Sequence, residues 1–203
     1  MALICPEKIL CIPAEEIFRH YGFEHQVGKT REEIDELLEA INGASYWWKN
    51  GMPISDESRA ALLTECADVI VMCAQLLRLD AVLYPVNMEP SIHGLRAALI
   101  SYGVLLSEKQ GPMSVELHLG RDIIEEAIRL AVSITGKEEL QEEILFKIRR
   151  QEERIAVEQE AAKAREEAER KKRAAARAAV AEARKAAKNA AKIAASTKKE
   201  KDA

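Results

Sequence analysis

The sequence contains few of the residues that interrupt helices, since only nine glycines and six prolines occur among its 203 residues. Strand signals are absent, and apolar residues recur at helical spacing along most of the chain. No apolar run reaches the roughly 18 residues that a membrane span needs, and the start of the chain, MALICPEKIL, does not resemble a signal peptide. We therefore expect an all-α protein that is soluble and cytoplasmic.

Cysteine is also scarce, and the four cysteines include no Cys-x-x-Cys pair. Cys66 and Cys73 are seven residues apart on one predicted apolar helix, and no histidine lies near them at the spacing of metal ligands. The pattern favours buried free thiols, and a zinc site is not expected.

Charge divides the chain into two parts. Residues 151–203 contain 15 Lys or Arg and 10 Asp or Glu, so this part is basic. Residues 1–150 contain 15 Lys or Arg and 24 Asp or Glu, so the first part is acidic. We expect a domain at 1–155 and a low-complexity Ala/Lys/Glu/Arg-rich tail at 156–203, helical or disordered. The tail lacks the apolar seam of a long coiled coil, so a solvated helix is the simpler interpretation. The alternative is weak contact between the basic residues 170–203 and nucleic acid or another acidic partner.

The pattern within the domain predicts a bundle of helices. Their expected bounds are 13–20, 24–41, 56–79, 91–109 and 114–135, and a long helix is expected from about residue 137. Ser55, followed by Ser58 and an apolar run, predicts the start of the third helix. The stretch NGASYWWKNGMPISDES is rich in Gly, Asn, Pro and Ser, and is expected to form a loop.

Two pairs of acids at helical spacing are the main functional candidates. Glu33 and Glu36 share a face of the second helix, and Glu65 and Asp68 repeat the spacing in the apolar third helix. If the two helices pack antiparallel, the four carboxylates face one another, and a cation such as Mg²⁺ would offset their repulsion. The alternatives are a solvated acidic face for the first pair and a Lys or Arg partner across the bundle for the second. Di-iron chemistry is disfavoured because no histidine follows a glutamate by three residues.

These acids also carry a family resemblance. The sequence EEIDE, followed after 28 residues by ECAD, matches the E-E-x-x-E … E-x-x-D signature of the MazG-like all-α nucleoside triphosphate pyrophosphohydrolases. HYGFEHQVGKTREE resembles the segment before that motif in phage-encoded members, and LQEEILFKIRRQEERI resembles the helix that closes their domain. The resemblance covers roughly residues 14–155. It implies a helical bundle of the all-α NTP pyrophosphatase type, here with a long charged Ala-rich C-terminal helix, that forms a dimer or tetramer.

The resemblance implies hydrolysis of nucleoside or deoxynucleoside triphosphates to the monophosphate and pyrophosphate, with Mg²⁺ or Mn²⁺ as cofactor. By position, the metal ligands would be Glu33, Glu36, Glu65 and Asp68. Glu32 would join Glu33 in catalysis, either supporting the ligands or orienting the attacking water. Further candidates could contact the substrate through phosphate or base: Gln26, Lys29, Trp47, Lys147 and Arg150.

The chain departs from small members of that family in residues 91–135 and in its tail. The first segment adds a helical pair without a second acidic motif, either as a degenerate second half or as a dimer-forming hairpin. The competing interpretation of the chain is a non-catalytic helical assembly protein that acts through its basic tail.

Overall fold

The computed structural model describes residues 9–85, 89–108 and 113–201, and this part of the chain contains six helices and two short strands. The predicted all-α fold class is thereby confirmed. In chain order the elements are β1 (Ile9–Cys11), α1 (Ala14–Tyr21), α2 (Phe23–Lys49), α3 (Asp56–Leu76), β2 (Ala81–Leu83), α4 (Ile92–Glu108), α5 (Met113–Ile134) and α6 (Lys137–Lys201).

The chain forms two compact units. The first is Met1–Glu153 and includes the beginning of α6, whereas the second is Arg154–Ala203 and consists of the remainder of that helix. Every helix in the described ranges is too short or too polar to span a lipid bilayer.

The central element of the first unit is α3, against which α1, α2 and α5 pack. Its buried residues run almost continuously from Cys66 to Leu76, as expected for a helix that is apolar on nearly every side. The predicted start is confirmed, because the Ser55 hydroxyl accepts a hydrogen bond of 3.2 Å from the backbone N–H of Ser58. Cys66 and Cys73 are buried free thiols, as predicted, and burial raises the pKa of Cys73 to about 12.

The additional helical pair, α4 and α5, belongs to the same core. The two helices pack on each other, α4 also contacts α2, and α5 contacts α3. Leu99 and Tyr102 from α4 and Ile124 and Ile128 from α5 are fully buried.

The beginning of α6 lies beside α3 within the first unit. The polar contacts that join the two helices include Arg59 with Glu139, Asp68 with Lys147, and Gln75 with Gln151. Because residue numbers rise together along the series, the two helices run parallel. Leu140, Ile144 and Ile148, one turn apart, complete the core from this side.

The end of α2 differs from the sequence prediction. The helix continues eight residues beyond Ile41, so both tryptophans belong to its last turns rather than to a loop. It ends where the Asn50 side-chain amide donates a hydrogen bond of 2.7 Å to the Tyr46 carbonyl, and Gly51 follows with a φ of 62°. Glycine is the residue that adopts such a positive φ without strain.

The two strands were not predicted. Residues Ile9–Cys11 pair antiparallel with Ala81–Leu83, and Leu10 lies opposite Val82, where both side chains are buried. Three residues are too few to show the alternating pattern by which a strand is recognised. This two-stranded sheet holds the segment before α1 next to the segment after α3.

Candidate metal centre

Three carboxylates converge between α2 and α3. Glu33 and Glu36 project from adjacent turns of α2, and Glu65 projects from α3. Each offers one oxygen, and these three oxygens lie within 4.8 Å of one another. Only six residues connect the two helices, so they pack as antiparallel neighbours, and three acids of the sequence motif, Glu33, Glu36 and Glu65, meet at one place.

The pKa values of two of these acids are strongly raised. Those of Glu33 and Glu65 both rise to about 7, first because burial penalises the charged form and then because of repulsion from Asp68 and Glu36. A hydrogen bond with Glu36 raises the pKa of Glu65 further, and such a bond requires a proton between the two carboxyl groups. The charged forms of Glu33 and Glu65 are therefore disfavoured in the folded protein relative to an exposed glutamate.

One oxygen of the cluster is unsatisfied. The Oε2 atom of Glu65 is buried and accepts no hydrogen bond from any residue that the structure describes. A buried carboxylate oxygen that is left unsatisfied costs the desolvation free energy of that group, which is on the order of 1–3 kcal/mol or more. The position therefore suits a cationic or donor group.

Asp68, the fourth acid of the motif, is engaged elsewhere. Its carboxylate forms an ion pair with the ammonium group of Lys147, which also lies 3.6 Å from Glu143. The structure thus places Asp68 with a lysine across the bundle, while its negative charge still acts on Glu33 and Glu65. Asp68 is not among the three acids whose oxygens converge.

Glu143 was not singled out from the sequence. Its one local signal is the i,i+4 spacing to Lys147 within a predicted helix. That spacing is common in solvated helices, and only the parallel packing of α6 against α3 brings the pair to Asp68.

Lys29 lies on the α2 side of the acids. Its Nζ atom is 2.5 Å from a Glu32 oxygen and 3.8 Å from a Glu33 oxygen. The hydrogen bond to Glu32 is the largest cause that raises the pKa of Lys29, although burial opposes it. Glu32 itself is half-exposed, so this carboxylate is accessible to water.

The remaining substrate-binding candidates are less clearly placed near the acids. Gln26 is fully buried on α2. Its Oε1 atom has no hydrogen-bond partner among the described residues, and its backbone carbonyl accepts a hydrogen bond of 2.7 Å from the Thr30 hydroxyl. Trp47 contacts the ring of Tyr46 edge-on at 5.7 Å. Trp47 is 14 residues beyond Glu33 on the same helix, so the two residues are about 21 Å apart along the helix axis.

Arg150, the last of these candidates, is exposed on α6, and its guanidinium group lies 5.7 Å from the centre of the Phe146 ring.

The donor set fits a hard divalent cation. Carboxylate oxygens are the ligands that Mg²⁺ prefers, at about 2.0–2.1 Å, so two oxygens on opposite sides of the ion are about 4.2 Å apart. Adjacent oxygens around an octahedral Mg²⁺ are only about 2.9 Å apart. Binding of all three carboxylates to one ion therefore requires at least two of their three separations, each at most 4.8 Å here, to be near that shorter distance. The unsatisfied oxygen of Glu65 and the raised pKa values of Glu33 and Glu65 are both relieved by a cation at this position.

Comparison of the chain with models of protein families, with curated proteins and with solved structures finds no match in any of the three. A functional assignment therefore depends on the geometry of the acids and on the motif that they form.

Proposed function

We propose that the chain is a MazG-like pyrophosphohydrolase that uses Mg²⁺, or Mn²⁺, to convert nucleoside or deoxynucleoside triphosphates to the monophosphate and pyrophosphate. The observation that supports this proposal most strongly is the convergence of the Glu33, Glu36 and Glu65 oxygens within 4.8 Å. These acids come from both halves of the sequence motif, which the helical pair brings together.

Glu33, Glu36 and Glu65 would hold the cation, and Asp68 is the fourth candidate ligand, one turn beyond Glu65. When bound, the ion supplies neutralisation of phosphate charge and a more acidic bound water. The acids need not carry protons at pH 7 once a cation faces them, because an opposite charge lowers the pKa of a carboxyl group.

Two lysines flank the acids and are suited to bind the phosphates of a substrate. Lys29 contacts Glu32 and Glu33 on α2, and Lys147 contacts Asp68 from α6. A lysine ammonium acts on phosphate as a point charge. Glu32, which is half-exposed and next to Glu33, would accept a hydrogen bond from the attacking water.

In the proposed reaction, the oxygen of water forms a bond to the α-phosphorus. The bond from that phosphorus to the α,β-bridging oxygen breaks, and the bridging oxygen leaves with pyrophosphate. The proton of the water passes to Glu32 or to solvent. Trp47 and Gln26 receive no role in this step, and contact of either residue with the substrate stays a prediction.

The test is a screen of canonical and modified ribo- and deoxynucleoside triphosphates with the full chain and Mg²⁺. Release of pyrophosphate rather than orthophosphate is expected, and Glu33→Gln and Glu65→Gln should each lower kcat/KM at least about 100-fold. Glu39→Gln is the matched control, since Glu39 is an exposed acid on the same helix as Glu33.

Absence of turnover with every nucleotide, together with a Tm that Mg²⁺ and Mn²⁺ leave unchanged, would contradict the proposal. The dimer or tetramer that the resemblance implies stays a prediction, which light scattering on the same preparation measures.

A further inference from the structure

The charge pattern of the second unit changes near residue 170. Between residues 154 and 169 there are three Lys or Arg and five Glu, whereas between residues 170 and 192 there are nine Lys or Arg and one acid, Glu182. The helix is continuous through both segments. A solvated helix normally mixes both signs of charge on its surface, so the second segment calls for a separate explanation.

Four arginines of this segment lie on one side of the helix. At 100° per residue, Arg170, Arg173, Arg177 and Arg184 fall within an arc of about 60°. All four are exposed, and we refer to them as the basic ridge. The opposite side carries Ala175 and Ala179 together with the charged residues Glu182 and Lys172.

The arginines of the basic ridge are not explained by a contribution to the stability of the helix itself. Arg173 pairs with Glu169 at 2.5 Å, but Arg170, Arg177 and Arg184 form no ion pair within the described residues. Arg173 and Arg177 are like charges at i,i+4, which destabilise a helix. The helix dipole favours cations only in the last turn, and Arg170 lies 31 residues before Lys201.

We propose that the basic ridge binds the phosphate backbone of a nucleic-acid duplex without sequence preference. The guanidinium fork of arginine matches phosphate oxygens in geometry as well as charge. From Arg170 to Arg184 the ridge is about 21 Å long at 1.5 Å per residue. A duplex presents about twelve phosphate charges over that length, since it carries one per 1.7 Å of axis.

A duplex fits this surface better than a single strand does. Proteins that bind single strands add aromatic side chains on which bases stack, and residues 154–203 contain no Phe, Trp or Tyr. The major groove of a duplex, about 12 Å wide, admits a helix. The inference is independent of the proposed catalytic activity, because none of its residues belongs to the acidic site.

The experiment measures binding of the full chain to a labelled 24-base-pair DNA duplex by fluorescence anisotropy at several salt concentrations. The ridge variant carries Arg170→Gln, Arg173→Gln, Arg177→Gln and Arg184→Gln. The matched control removes four cations from other sides of the same helix, with Arg154→Gln, Arg165→Gln, Lys171→Gln and Lys172→Gln. Glutamine is close to arginine and lysine in helix propensity, and circular dichroism checks that helix content is equal.

The ridge variant should bind at least about 10-fold more weakly than the natural chain, and the control variant less than about 3-fold. The slope of log K against log salt should become shallower by about 0.9 for each phosphate contact that is lost. The proposal is overturned if the natural chain does not bind, or if both variants weaken equally. It is also overturned if poly-glutamate of equal charge competes as well as the duplex, which would indicate an acidic protein partner, or if single-stranded DNA binds more tightly.

Discussion

Lys147 on α6 pairs with Asp68 on α3, one helical turn from the converging glutamates. The two side chains are only 14% and 21% exposed, so most of the ion pair is withdrawn from water. The charge of Lys147 also lowers the pKa of Glu65, against the larger effects that raise it. The protein thus has a cation of its own at the edge of the acidic site.

Replacement of Lys147 by methionine should affect metal-free stability and metal affinity in opposite directions. Loss of the partner leaves Asp68 uncompensated, so the free energy of unfolding should fall by about 1–3 kcal/mol. Mn²⁺ should bind at least about threefold more tightly, because one nearby positive charge is gone. Urea unfolding and calorimetric titration with Mn²⁺ measure the two effects.

The control for that change is Arg150→Met, which removes an exposed cation from the same helix. It should change neither the free energy of unfolding nor the affinity for Mn²⁺ by more than experimental error. If Lys147→Met leaves Mn²⁺ affinity unchanged, Lys147 does not oppose the cation at this site.

Metal-free stability should fall as pH rises between about 4.5 and 7. The pKa values of Glu33 and Glu65 are about 7 in the folded protein, against an ordinary value of 4.5, so between these limits the folded protein binds more protons than the unfolded chain. Stability decreases with pH wherever the folded state holds the extra protons. Thermal unfolding at pH 5, 6, 7 and 8 in the presence of a chelator measures this slope.

Glu65→Gln should therefore stabilise the metal-free protein at pH 8, by about 1–2 kcal/mol. It should reduce the pH slope and abolish the rise in Tm that Mg²⁺ gives to the natural chain. Glu39→Gln, at an exposed position, should leave both properties unchanged. A Glu65→Gln protein less stable than the natural chain at pH 8 would show that Glu65 is satisfied by a partner, contrary to its unsatisfied Oε2 atom.

Ser55→Ala should lower the free energy of unfolding by about 1 kcal/mol, because the N-cap oxygen that accepts from Ser58 N–H is lost. Ser101→Ala, at an exposed position within α4, should change it by less than about 0.5 kcal/mol. Urea denaturation of both variants measures the difference. Equal effects would mean that the cap contributes nothing specific.

Ile70→Ala should lower the free energy of unfolding by about 2–5 kcal/mol, since Ile70 is fully buried in α3 and its loss leaves a cavity. Ile100→Ala makes the same chemical change on α4, where the side chain is 54% exposed. This control should cost less than about 1 kcal/mol. A small effect at Ile70 would indicate that the core around α3 is loosely packed.

The parts of the fold that depend on short-range patterns could be predicted from the sequence. Ser55 and Ser58 are three residues apart, and their hydrogen bond starts α3 where the pattern predicts. The spacing of Glu33 with Glu36 likewise determines that both lie on one face of α2. The all-α class follows from the helical period of apolar residues along most of the chain.

Other features depend on contacts that local patterns do not contain. Gly43 resembles a helix breaker, yet nothing crowds its position and α2 continues past it. Trp48, in the extended part of α2, packs against the core, and this contact favours helix over loop. The partners Asp68 and Lys147 are 79 residues apart, and only the packing of α6 beside α3 selects this lysine among many.

Glu65 and Asp68 lie on α3, the helix around which α1, α2 and α5 pack. We expect the backbone amides of this helix to exchange hydrogen for deuterium most slowly, because those of a central, buried helix become accessible mainly when the domain unfolds globally. A cation held by Glu65 would then slow exchange throughout the first unit by a common factor, rather than protect a local loop. Occupancy of the site would therefore be coupled to the stability of the whole first unit rather than to that of one segment.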